Sequence, residues 1–228
     1  MHKPILFIHC GNSGSGKCYP IMEEYFEFID QSGYKDLIDI KIFSTGDTKP
    51  TFVDANNHCF DYGMGEFYTL GNMKTICNSI DENVPIGYVQ TKGEHNGHNN
   101  PAIIDWRNYM AYFAIRNMSM CINYIREGFD AVGVDWHVVP NRHFSGNFWW
   151  SSSLYIKSLP EINPPKFSII RHNNSDWSID TQKDGSMGDR HSCEFWIGIN
   201  NPKVKCLHNS GIDIYNRQHF LYPEINYK

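Results

Sequence analysis

The chain has 228 residues, 41% of them apolar and 20% charged, and a formal net charge of −5. That length and balance fit a globular chain with a sizeable core, and the acidic charge lacks the basic footprint that nucleic acid demands. The apolar run Ile5 to Ile8 is too short for a leader core or a membrane span, so no transmembrane segment and a cytoplasmic location are expected.

In chain order, PILFIHC (4–10) predicts a buried strand and GNSGSGK a loop. YPIMEEYFEFIDQSG (19–33) carries Ile21, Tyr25, Phe28 and Ile29 at helical spacing and stops at Gly33. A second strand is predicted over 37–46, a helix over 66–80 and a third strand over 84–93. One long helix is predicted over 103–128, with Gly128 as its stop, followed by a fourth strand over 130–136. The segment 191–199 reads as a helix start or a strand, and 204–215 holds a last short strand or two. Residues 47–64 and 171–190 read as irregular, and Pro164–Pro165 forbid regular structure.

Strand and helix thus alternate to about residue 160. This predicts an α/β fold, a Rossmann-like, mostly parallel sheet with helices on both faces. We expect one domain over 1–228 with an irregular C-terminal extension from about 160. Seven scattered cysteines, with no CxxC or Cys/His zinc spacing, suggest mostly buried free thiols in a reducing compartment.

The most distinctive stretch is HFSGNFWWSSSLY (143–155). Gly146 permits a tight turn or a close approach, Asn147 offers an amide that donates and accepts, and Trp149 and Trp150 offer flat apolar faces. Ser151, Ser152 and Ser153 stand where a helix N-cap belongs. The grouping suits a site that grips a polyhydroxylated ring, with the indoles stacking on the sugar. The plainer alternative is a buried tryptophan pair together with an ordinary turn and cap.

Gly11 to Lys17 matches the spacing of a phosphate loop, but Cys18 stands where that motif needs a hydroxyl for magnesium, and a thiol is a poor ligand for so hard a cation. Asp135 closes the fourth strand at its carboxyl edge, an address for a ribose, a sugar hydroxyl or a metal. Arg107, beside Trp106, is a candidate phosphate contact; a surface ion pair explains it equally well.

The pieces QSGYKDLIDIKI (31–42), YVQTKGEH (88–95), DWRNYMAYF (105–113), GFDAVGVDW (128–136), HFSGNFWW (143–150) and RHSCEFWI (190–197) together resemble a family of small glycosyltransferases of GT-A type, with bacterial and large-DNA-virus members. The resemblance spans roughly 5–220, and HFSGNFWW is its specific signal. It implies a UDP- or GDP-linked sugar donor, a glycan or glycoconjugate acceptor, and transfer of a hexosyl or deoxyhexosyl group with inversion. A viral member would work in the host cytoplasm.

The resemblance also implies roles. Glu194 lies where such enzymes carry the acid that takes the acceptor's proton, and Cys193, Phe195 and Trp196 would desolvate it; pairing with Arg190 is the structural alternative. The family's Asp-X-Asp is absent from the whole chain, and Thr91-Lys92-Gly93 stands in its place. Lys92 is then expected on the diphosphate in place of a cation, with a solvated loop lysine as the alternative. His143, Ser145, Gly146 and Asn147 are expected to bind the donor. Asp135 and His208 are the candidates for holding a divalent metal, Mn or Mg, if one is used. Two other readings stay open: a non-catalytic carbohydrate-binding module and a P-loop nucleotide enzyme.

Overall fold

Strand β1 (Ile5–Asn12) is the axis of the sheet. Strand geometry sends alternate side chains to opposite faces, and here Leu6, Ile8 and Cys10 join one apolar layer while Ile5 and Phe7 join the other. The structure, a computed structural model, describes residues 2–12, 17–46, 58–61, 65–94, 99–162, 192–213 and 216–228. The inner loop of the phosphate-loop match, the irregular stretches predicted over 47–57 and 171–190, and Arg190 lie outside the described residues.

β1 pairs in parallel with β2 (Asp39–Gly46) on one side and with β4 (Pro85–Gln90) on the other. β3 (His58–Asp61) extends the sheet beyond β2. Past β4 come β8 (Trp149–Ser152), β5 (Ala131–Gly133) and β9 (Val204–Cys206), for a strand order of β3-β2-β1-β4-β8-β5-β9. Only β8 runs against its neighbours. A small ribbon of β6 (Trp136–His137) and β7 (His143–Phe144) stands apart. The expected mostly parallel α/β sheet is present.

Helices α1 (Cys18–Ser32), α3 (Pro101–Ala111) and α4 (Met118–Arg126) supply the layer on the face of Leu6 and Ile8. Helices α2 (Glu66–Asn78), α5 (Ser153–Ser158) and α6 (Ser192–Phe195) cover the other face. Gly33, at φ 71, ends α1 as predicted. The single long helix predicted over 103–128 is instead two helices joined by a π turn (Tyr112–Arg116). There the Asn117 N–H reaches back five residues to the Tyr112 carbonyl (2.9 Å), and the Ala114 carbonyl accepts the Trp150 indole N–H (2.7 Å). A polar demand from the sheet thus meets the local break in the helical pattern.

The segment 143–155, expected as a turn leading to a capped helix, has a strand on each side of its turn. Once Trp149 and Trp150 lie in β8, alternation must separate them. Trp149 enters the layer with α2 and Trp150 the layer with α1, and both are 0% exposed. Ser152 caps α5 through the Tyr155 N–H (3.0 Å), as the serine run predicted. All seven cysteines are free. Among the described residues no helix is long and apolar enough to cross a membrane.

Candidate functional site

The chain leaves β1 toward β2 on one side and returns, through α2, to β4 on the other side. The crevice beyond the carboxyl ends of β1 and β4 is therefore a topological switch point, where open α/β sheets bind ligands. Four segments meet there. The first is the end of β1 at Gly11, whose N–H donates to Thr91 Oγ1 (3.0 Å). The second is the turn Thr91–Glu94 after β4, closed by Glu94 N–H to the Thr91 carbonyl (3.1 Å). The third is the first turn of α2, which carries Glu66. The fourth is the turn Ser145–Asn147, which reaches this edge because β8 is antiparallel.

That last turn is built from positive-φ residues, Gly146 at 65° and Asn147 at 61°. A Cβ on Gly146 would sit 2.4 Å from Met110 Sδ, so the glycine answers a close approach of α3 rather than of a ligand. The Gly146 carbonyl accepts from Gln90 Nε2 (3.1 Å), and Ser145 Oγ accepts from the Trp106 indole (3.0 Å). Asn147 is fully buried; its Oδ1 accepts from Trp149 Nε1 (2.7 Å) and its Nδ2 donates to Glu66 Oε2 (2.7 Å). Tyr88, stacked on Trp149 at 5.2 Å, donates its hydroxyl to the same oxygen (2.8 Å).

Glu66 is thereby fixed at the crevice, and sequence reasoning missed it. Its one signal was an acid in the first turn of a helix that starts at this edge of the sheet, a position that also suits simple interaction with the helix dipole. Burial raises its carboxyl above the usual range and the negative charge of Glu194 raises it further, while the Tyr88 hydroxyl, the Asn147 amide and the Lys92 ammonium act in the opposite sense. Lys92 and Glu194 thus each lie within electrostatic reach of Glu66. Lys92 Nζ rests 3.9 Å above the Trp106 ring, and its backbone carbonyl accepts from Arg107 Nη1 (3.2 Å). Glu94 is a further buried carboxylate here; a Cβ on Gly11 would stand 3.4 Å from its Oε2.

The other expected site residues are held by contacts within the protein. Stacking of Trp149 and Trp150 on a sugar is corrected, because the two rings point to opposite layers and neither has an exposed face. Arg107 is buried, and its guanidinium donates to Glu24 Oε2 (3.2 Å) and to the Lys92 carbonyl (3.2 Å), the ion-pair alternative. His143 is 1% exposed, its Nδ1 donates to the Asn141 carbonyl (2.7 Å), and its ring packs on His137 and Phe195. Ser145, Gly146 and Asn147 serve the turn as described.

Asp135 and His208 meet at the Tyr109 hydroxyl. Asp135 is 1% exposed, with Oδ1 accepting from the Ser210 N–H (2.5 Å) and the Tyr109 hydroxyl (3.3 Å) and Oδ2 accepting from the Ser210 hydroxyl (2.8 Å). His208 Nδ1 lies 3.0 Å from the same Tyr109 hydroxyl. These contacts anchor the C-terminal segment. Among the described residues no three His, Cys, Asp or Glu side chains converge as a cation site. Cys18 is fully buried, and its thiol and that of Cys10 influence one another.

A separate depression of about 300 Å³ lies at the opposite edge of the sheet, lined by Asn83, Gly128, Asp130 and Ser152 among others. Its one carboxylate, Asp130, accepts from the Lys203 N–H (2.8 Å).

One family model, described as a domain of unknown function (DUF8361), matches residues 33–219. No curated protein matches.

Proposed function

We propose that this chain, which belongs to the DUF8361 family, transfers a sugar from a nucleotide-diphosphate donor to an acceptor hydroxyl. The observation that carries the reading is the clamped carboxylate of Glu66 at the switch-point crevice, with the Lys92 ammonium and the Glu194 carboxylate each near enough to act on its charge. The finer assignment, a GT-A type enzyme, rests on the sequence resemblance together with this mostly parallel sheet.

In this reading the Glu194 carboxylate accepts the proton of the acceptor hydroxyl as its oxygen bonds to the anomeric carbon. The bond from that carbon to the diphosphate oxygen breaks, and the nucleoside diphosphate leaves with the electron pair. Lys92 stands by the growing negative charge, held by its contact with Trp106. The N-terminus of α1, which opens just after Lys17, adds positive potential at the same edge. The buried indoles withdraw the stacking surface on which a purely carbohydrate-binding role depended.

A thermal-shift panel of UDP, GDP and ATP, each with and without manganese or magnesium, tests the reading. Stabilisation by UDP or GDP and by their sugar conjugates is expected. Stabilisation by ATP with magnesium alone, or by no nucleotide, overturns it. With the active donor in hand, Glu194→Gln is expected to lose transfer by at least a hundredfold while donor affinity stays within about twofold, the range by which general bases contribute. Full activity in that variant removes Glu194 as the base.

A further inference from the structure

The two oxygens of Glu66 are not equivalent. Oε2 takes two hydrogen bonds, one from the Tyr88 hydroxyl and one from Asn147 Nδ2. Both donors are themselves fixed, Asn147 by the Trp149 indole and Tyr88 by stacking on the same ring. Oε1 has no hydrogen-bond partner among the described residues, and it is not one of the sealed, unsatisfied atoms of the interior. It is the oxygen left to the crevice, in reach of the charges of Lys92 and Glu194.

A carboxylate with one oxygen clamped and the other turned to a ligand-binding edge is a fixed hydrogen-bond acceptor. We propose that Glu66 Oε1 accepts a hydrogen bond from a hydroxyl of the donor's sugar. This rests on the sugar-transfer reading above and names which part of the donor Glu66 contacts. The sugar is bonded to the diphosphate, so a lysine on the diphosphate and an acceptor oxygen nearby are the two contacts such a donor needs in sequence. Glu66 is therefore a sugar-binding residue, and Tyr88 and Asn147 are positioning residues acting through it.

The clamp makes Glu66→Gln a directional test. Two donors face the inner oxygen, so the amide must turn its own oxygen inward. Its NH2 group then faces the crevice, and an acceptor has become a donor with almost no change in shape. Calorimetric titration would compare UDP and GDP with UDP-glucose, UDP-galactose, UDP-N-acetylglucosamine, GDP-mannose and GDP-fucose, on the full chain and on the variant.

For Glu66→Gln, affinity for the bare diphosphate is expected to stay within about twofold while affinity for the preferred sugar nucleotide falls at least tenfold. Glu66→Asp, which withdraws the oxygen by one methylene, should show the same selective loss and serves if the amide variant melts early. Equal affinity for the sugar nucleotide in folded variants overturns the assignment of Glu66 and leaves sugar transfer standing. Parallel loss for the bare nucleotide and the sugar nucleotide also overturns it. A wild-type chain that binds none of these nucleotides overturns both.

Discussion

Lys92 shows how much one residue's role depends on what holds it. Its ammonium sits on the Trp106 ring and its carbonyl is held by Arg107, which is held in turn by Glu24. The chain has therefore restricted a flexible side chain before any ligand arrives. Lys92→Ala is expected to weaken UDP or GDP binding about tenfold or more, since a hydrogen bond to a charged group is worth about 1.5–3 kcal/mol. Trp106→Leu keeps the charge but loses the platform, so it should cost affinity less than Lys92→Ala does. Unchanged nucleotide affinity in Lys92→Ala, measured by calorimetry, would remove lysine from the account of the leaving group. The lysine was legible in the sequence because a charged residue stood where an acidic motif was expected. Glu66 was not, because nothing local distinguishes a helix-opening glutamate that binds from one that merely faces the dipole.

Elements were legible where periodicity was strong and local. The alternation of β1 and the spacing of Ile21, Tyr25 and Ile29 in α1 report burial on one face or two, and burial is what the sequence pattern encodes. The π turn was hidden, because the signal for it lies in a tryptophan thirty-six residues away. The tryptophan pair was misread for a related reason. Adjacent aromatics look like one surface until the segment is known to be a strand, and then they belong to two.

Strand β4 makes room for that arrangement. A Cβ on Gly87 would lie 2.7 Å from Trp150 Cε2 and 2.9 Å from Leu6 Cδ1. Gly87→Ala is expected to destabilise the fold by about 1–3 kcal/mol, the usual cost of overpacking. Gly71, inside α2, is the control: a Cβ there meets only the Ile162 carbonyl at 3.7 Å. Gly71→Ala is expected to be neutral or to stabilise by up to about 1 kcal/mol through helix propensity. Urea midpoints in the reverse order would show that the fit of Trp150 beneath β4 is not what constrains position 87.

At the scale of the molecule, the interior holds titratable groups whose burial links stability to pH. His9, in the middle of the sheet with Nδ1 2.7 Å from Thr69 Oγ1, has its pKa lowered to about 4 by burial. Its folded pKa lies below its unfolded value of 6.5, so the unfolded chain binds the proton more tightly in that interval. Stability is then full above about pH 6.5 and falls as the pH drops toward 4, by roughly 3 kcal/mol for a shift from 6.5 to about 4. His9→Asn, which keeps a polar partner for Thr69 and does not titrate there, should flatten that acid limb. An unaltered melting temperature profile between pH 4 and 6.5 in the variant would assign the limb to other groups.

The one reversed strand has a wider effect than closing the sheet. Its two indoles are gripped by opposite layers, and its leading end delivers Asn147 to the carboxylate at the crevice. It therefore works as a lever with its fulcrum in the interior. If Glu66 meets the donor as proposed, a purely apolar exchange beneath Trp149 is expected to tilt the amide that aims it, and so to adjust ligand preference from deep inside without altering a group that a ligand touches.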